Sequence, residues 1–166
     1  MAEDKLFFHE CRAAGWVFKD CDEWMKWLKE NDGDIRKAVA THKHGGKCFQ
    51  YTVNDACVNP NRIRYELPDN KMIYWEARTA YTQFGWIWGY GIATASGGGA
   101  SPCSYPSRYD NLAIFYEHEQ DAAKDALSFI INQLEGMPKS KAVSMLLYYA
   151  KKKRADIQHP QQELFK

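Results

Sequence analysis

The residues best suited to chemistry fall in a few short stretches. His42, His44 and Cys48 lie close together, and His9 with Cys11 makes a second group. Tetrahedral zinc needs four nitrogen or sulfur donors, but this spacing matches no zinc finger, so no metal is assigned. Cys103 and His118 have the residue types of a nucleophile and its base. Pro102 and three glycines precede Cys103 and leave its backbone open; the plainer alternative is a structural thiol. Glu117, Glu119 and Asp121 around His118 offer carboxylates to a divalent ion, or simply complement the dipole of a helix that starts there. Gly97, Gly98, Gly99 and Ser101 suggest a loop lining a small-ligand or phosphate pocket. The segment lacks the Gly-Lys-Ser/Thr ending of a phosphate loop, and Pro102 follows instead of a helix, so a hairpin loop is the alternative. None of these groups makes a complete catalytic set. The chain is read as an accessory protein rather than an enzyme, with a cysteine- or metal-dependent enzyme as a further alternative, and no cofactor is assigned.

The basic residues point elsewhere. Arg62, Arg64 and Arg78 share the outward register of alternating segments that also hold Tyr74, Glu66 and Glu76. A sheet bearing arginines and aromatics can clamp nucleic acid, while mixed charge also suits a solvated face. Lys151, Lys152, Lys153 and Arg154 close a helical segment, where they either complement the helix dipole or touch phosphates.

The chain ends Gln161-Gln162-Glu163-Leu164-Phe165-Lys166. Two apolar side chains at the end of a polar tail have no fold of their own to enter, but can anchor in a partner's groove. The pattern Gln-x-x-Leu-Phe resembles the peptides by which bacterial proteins bind the DNA-polymerase sliding clamp. The resemblance implies that Leu164 and Phe165 fill the apolar pocket of the clamp and that Gln161 supplies amide hydrogen bonds beside it. Glu163 departs from the small residue or aspartate preferred at that place. The alternatives are that Leu164 and Phe165 fold back on the protein's own core, or that the short pattern arises by coincidence.

Composition limits the rest. Lys and Arg total 22 against 21 for Asp and Glu, which excludes a polycationic DNA-coating protein and an acidic DNA mimic and leaves local patches to carry such roles. Hydrophobic residues at 45% suit one sizeable core in 166 residues. The start, Met-Ala-Glu-Asp-Lys, has no apolar signal segment, and no run is long enough for a membrane helix. Five cysteines without a CxxC pair fit reduced thiols and a cytoplasmic location.

Elements must position these groups. Helical spacing predicts short helices over 4–14 and 21–30, with a further turn or two through Ile35, Ala38 and Val39 that breaks at His42–Gly46. The period then changes to two in four runs, around 48–53, 62–67, 73–78 and 86–93, joined by turns. Trp75, Trp86, Trp88 and Tyr90 fall on the inward register. A long loop is expected over 96–111, a short strand over 112–116, and helices over 118–135 and 139–154. The expected fold is α+β: short N-terminal helices, then a four- to five-stranded antiparallel sheet covered on one face by one or two C-terminal helices. The domain spans 1–154 (helical 1–46, sheet 47–116, helices 117–154), and 155–166 is a flexible tail.

The body carries a second resemblance. Trp86-Ile87-Trp88-Gly89-Tyr90-Gly91, then Gly97 to Pro102, Tyr105-Pro106-Ser107 and the alanine-rich helix are similar to small phage and mobile-element proteins found among DNA-modification and partition-like genes. The two resemblances together imply an accessory protein of DNA replication, repair or mobile-element biology, tethered to the sliding clamp. The alternative is a nucleotide- or small-ligand-binding module, acting against host defence, with its pocket at 97–102.

Overall fold

Gly45 and Gly46, with φ of 57° and 76°, turn the chain sharply between two extended segments. Consecutive positive φ values make the hairpin turn whose twist matches antiparallel strands. Strand β1 (Val39–His44) therefore pairs with β2 (Lys47–Thr52), His44 opposite Lys47 and Val39 opposite Thr52. This corrects the helical expectation at Val39 and the break at 42–46, since Val39 and Thr41 belong to a strand of a two-residue hairpin; Ile35 and Ala38 lie outside the described residues. The computed structural model describes residues 21–33, 39–52, 56–103 and 114–158. The expected helix over 4–14 and the clamp-type tail lie outside them.

The chain divides into two compact units. Among the described residues, one takes those up to Asn59 with Thr82–Phe84 and Ile114; the other takes Pro60–Tyr81, Gly85–Cys103 and residues 115–158. In the first, helix α1 (Cys21–Glu30) has Asp22 and Glu23 in its first turn and Lys29 in its last, the signs its dipole favours. Its end is closed by Gly33 N–H donating to the Leu28 carbonyl at 2.7 Å. In the hairpin, Phe49 and Tyr51 are buried against Cys57.

The second unit holds strands β3 (Asn61–Leu67), β4 (Asn70–Thr82), β5 (Gly85–Thr94) and β6 (Gly97–Ser101), then helices α2 (Glu119–Glu135) and α3 (Lys141–Gln158). The strands make one antiparallel sheet in the order β3-β4-β5-β6. The expected run at 48–53 thus belongs to a separate two-stranded sheet, and the fourth strand of the larger sheet comes from the glycine segment. Residues 97–101 form no loop but an edge strand, Gly98 opposite Ala93 and Ser101 opposite Tyr90. A Cβ at Gly98 would stand 2.2 Å from the Ile92 carbonyl oxygen, so the absence of a side chain is what lets β6 lie against β5.

Alternation decides the faces. Ile63, Tyr65, Trp75, Ala77 and Ile92 turn one way and pack with Ala126, Leu127, Ile130 and Leu134 of α2 and Leu146 and Ala150 of α3. Trp75 is 1% exposed, and its indole N–H donates to the Leu146 carbonyl at 3.0 Å. Trp88 and Tyr90 take the inward register, flanking Phe129 with ring centroids 5.5 and 4.5 Å away. Trp86 packs on Tyr81 instead, at 5.3 Å. Glu119 anchors the start of α2 by accepting from Asn61 and Thr79, each at 2.7 Å. The α+β expectation holds: two helices pack against one face of a four-stranded sheet. The last helix runs past 154 to Gln158, because Ile157 still packs on the core and Pro160 is the first residue to oppose helix. Among the described residues no helix is long and apolar enough to cross a membrane.

Candidate nucleic-acid interface

The β3–β4 register determines what the face away from the helices can hold. Arg62 lies opposite Arg78, Arg64 opposite Glu76, and Glu66 opposite Tyr74. Two arginines directly across a strand pair repel. The neighbouring carboxylate relieves this. Glu76 accepts from Arg78 Nε at 2.5 Å and Arg62 Nη1 at 3.2 Å through one oxygen, and from Arg64 Nη1 at 3.5 Å through the other. Its side chain is 3% exposed, while those of Arg62, Arg64 and Arg78 are 56%, 37% and 19% exposed. Burial pushes the Glu76 carboxyl up, but the hydrogen bond and charge of Arg78, aided by Arg62 and Arg64, outweigh it and hold the group below its usual value.

The rest of the face keeps the guanidiniums in place. Arg64 lies over the Tyr74 ring, 3.7 Å from its centroid. Its Nε pairs with Glu66 at 3.1 Å, and Nη2 donates to the Lys71 carbonyl at 3.3 Å. On β5, Gly91 leaves room for Arg78, whose Nη2 lies only 3.1 Å from where a Cβ would stand. Each guanidinium carries five N–H donors, more than the carboxylates take up. Three positive charges against Glu66 and Glu76 leave the face net positive. Arg62 and Arg64, fixed by the buried carboxylate and more than a third exposed, are suited to phosphate oxygens, while Arg78 is mostly covered and packs over Gly91.

The other sequence candidates are dispersed. Lys151–Arg154 do not close a helix, since a further turn follows. Lys151 pairs with Glu135 of α2 at 2.9 Å, and Arg154 donates to Ser128 of α2 at 3.2 Å, so these two hold the helices together. Cys103 is 1% exposed, and burial pushes its thiol up to about 12 despite the charges of Arg78 and Arg62. That removes it as a nucleophile at neutral pH, because the thiolate is the reactive form. Cys48 and His44 sit on opposite faces of the hairpin, as Cys48 pairs with Lys43 and His44 with Lys47. Among the described residues no group of three or more His, Cys, Asp or Glu could hold a metal ion. Gly97, Gly98, Gly99 and Ser101 are strand residues, and Gln161, Leu164 and Phe165 lie outside the described residues.

Sequence reasoning counted Glu76 as a charge that dilutes the arginines, whereas it is the group that gathers them. The signal was its place in β4, two residues before Arg78 and across from Arg64. Comparison with other proteins adds nothing further. No family model matches the chain, and no curated protein or solved structure matches it significantly.

Proposed function

We propose that this chain is a non-enzymatic accessory protein of DNA replication, repair or mobile-element biology. Its second unit contacts nucleic-acid phosphates through Arg62, Arg64 and Arg78. Its terminal peptide, Gln161, Leu164 and Phe165, tethers it to a bacterial sliding clamp. The observation that carries the reading is the sheet face on which three guanidiniums converge on buried Glu76 with donors left over. A tether suits such a face, because it raises local concentration at DNA without a large basic surface, and the whole chain is nearly neutral. The ligand-pocket alternative at 97–102 has less support, because Gly97–Ser101 is extended and paired with β5.

Two titrations test the reading. Fluorescence anisotropy with labelled oligonucleotides should show binding that weakens in Arg62→Glu, a variant that leaves Arg64 and Arg78 to hold Glu76. Unchanged affinity in a folded R62E protein would remove the sheet face from the account. Calorimetry against a sliding clamp should show binding by the wild-type chain and none by Leu164→Ala/Phe165→Ala. Equal binding by both would remove the tether.

A further inference from the structure

The outer surface of α3 carries aromatic and basic residues that the core does not use. Tyr148 is 61% exposed and Tyr149 is 37% exposed. Exposed aromatics are common singly, but these two adjoin each other and a third ring. Tyr149 stacks on Tyr65 of β3, with centroids 4.1 Å apart and planes 22° apart. Tyr148 stands at 84° to Tyr149 with centroids 5.1 Å apart. Tyr149, held by its stack on Tyr65, loses little further freedom when a flat partner arrives beside it.

Lysines complete the stripe. Residues four apart on a helix lie on one side, about 6 Å apart along its axis. Lys152 follows Tyr148 and Lys153 follows Tyr149 at that spacing. Lys151 and Arg154 are occupied with α2, but Lys152 and Lys153 make no ion pair among the described residues, Asp156 one turn beyond Lys152 included. The same outer strand that supplies Tyr65 carries Arg62 and Arg64 on its other face. Exposed aromatic rings, one of them held by a stack, beside cations without an ion pair among the described residues complement a ligand with exposed bases and a phosphate backbone. A duplex keeps its bases stacked inside and offers no face to such rings.

We propose that Tyr148 and the Tyr65–Tyr149 stack form a base-stacking platform for single-stranded nucleic acid, with Lys152 and Lys153 taking the adjoining phosphates. This rests on the nucleic-acid reading above and narrows it to single strands. The test is anisotropy with a labelled oligothymidylate and a duplex of equal length at low salt. The proteins are wild type, Tyr148→Ala, Tyr148→Phe and Lys152→Ala/Lys153→Ala, each checked by thermal melting. Tyr148→Ala should raise the Kd for the single strand about fivefold or more, in line with stacking on one ring. Tyr148→Phe should retain affinity, and the duplex should be little affected by Tyr148→Ala. The lysine pair should weaken the single strand and flatten its salt dependence. If the wild type binds the single strand but Tyr148→Ala binds as well, the platform is refuted and the arginine face stands. If the duplex loses as much as the single strand, base stacking is refuted. If Tyr148→Ala alters only self-association, the patch is a protein contact and the proposal fails. If the wild type binds no nucleic acid, both this inference and the function proposed above fail.

Discussion

Replacing Glu76 by Gln should separate the two roles of the sheet face. The side chain keeps its shape and loses its charge. The closest partner, Arg78, is 19% exposed and holds the carboxylate at 2.5 Å. A charge-assisted bond of that kind is worth about 1.5–3 kcal/mol. Arg62 and Arg64 are more exposed, and such pairs contribute about 0–1 kcal/mol each. The glutamine oxygen retains roughly half of the Arg78 bond. The expected loss of stability at neutral pH is therefore about 1–3 kcal/mol. The pH dependence follows from the direction of the shift. The folded carboxyl is held below its reference of 4.5, so its stabilisation is present above that pH and is lost as pH falls through the lower folded value. Urea melts of wild type and Glu76→Gln should differ at pH 7 and converge in acid. Meanwhile the face gains one net positive charge, so oligonucleotide affinity at low salt should rise. Equal stability at pH 7, or a gap that persists in acid, would refute the electrostatic argument.

Three further outcomes are expected. Gly98→Ala forces a Cβ to 2.2 Å from the Ile92 carbonyl oxygen and should destabilise β5–β6 pairing by about 1–3 kcal/mol, seen as faster amide exchange in residues 97–101 than in β3 or β4. Trp75→Phe removes both the bond to the Leu146 carbonyl and part of a fully buried ring, and should lower unfolding free energy by about 2–4 kcal/mol in denaturant melts. A thiol reagent at pH 8 should label exposed Cys48 in the native protein and leave Cys103 unlabelled until denaturant is added, as read by peptide mass mapping.

The period-two runs made β3, β4 and β5 legible in the sequence, and the Ala-Leu-Ile spacing of 122–134 made α2 legible. Trp75 was readable as core because Ile73 and Ala77 share its register. The glycine strand was not readable. Three consecutive glycines carry no hydrophobic alternation, and their fitness for β6 depends on the closeness of the β5 backbone, which is a tertiary fact. The hairpin at Gly45-Gly46 was masked by a preceding stretch, Ile35 to Val39, whose spacing also suits a helix. Glycine pairs between two short runs are themselves a hairpin signal, and they weigh more than that spacing. At the candidate site, the sequence placed Arg62, Arg64 and Arg78 on one face. It did not show that Glu76 is buried among them, because ion-pair convergence depends on cross-strand register. Tyr148 and Tyr149 were passed over because the reading of that helix followed its inward residues, Val143, Leu146, Leu147 and Ala150.

Phosphate contact by the arginine face is reported directly by the salt dependence of binding. Affinity for a single-stranded oligonucleotide should be measured across a salt series for wild type and Arg62→Ala/Arg64→Ala. Each lost phosphate contact removes about 0.7 from the slope of log K against log salt. The double variant should bind more weakly, with a slope shallower by about 1.4. Parallel lines of equal affinity would contradict phosphate contact by this face.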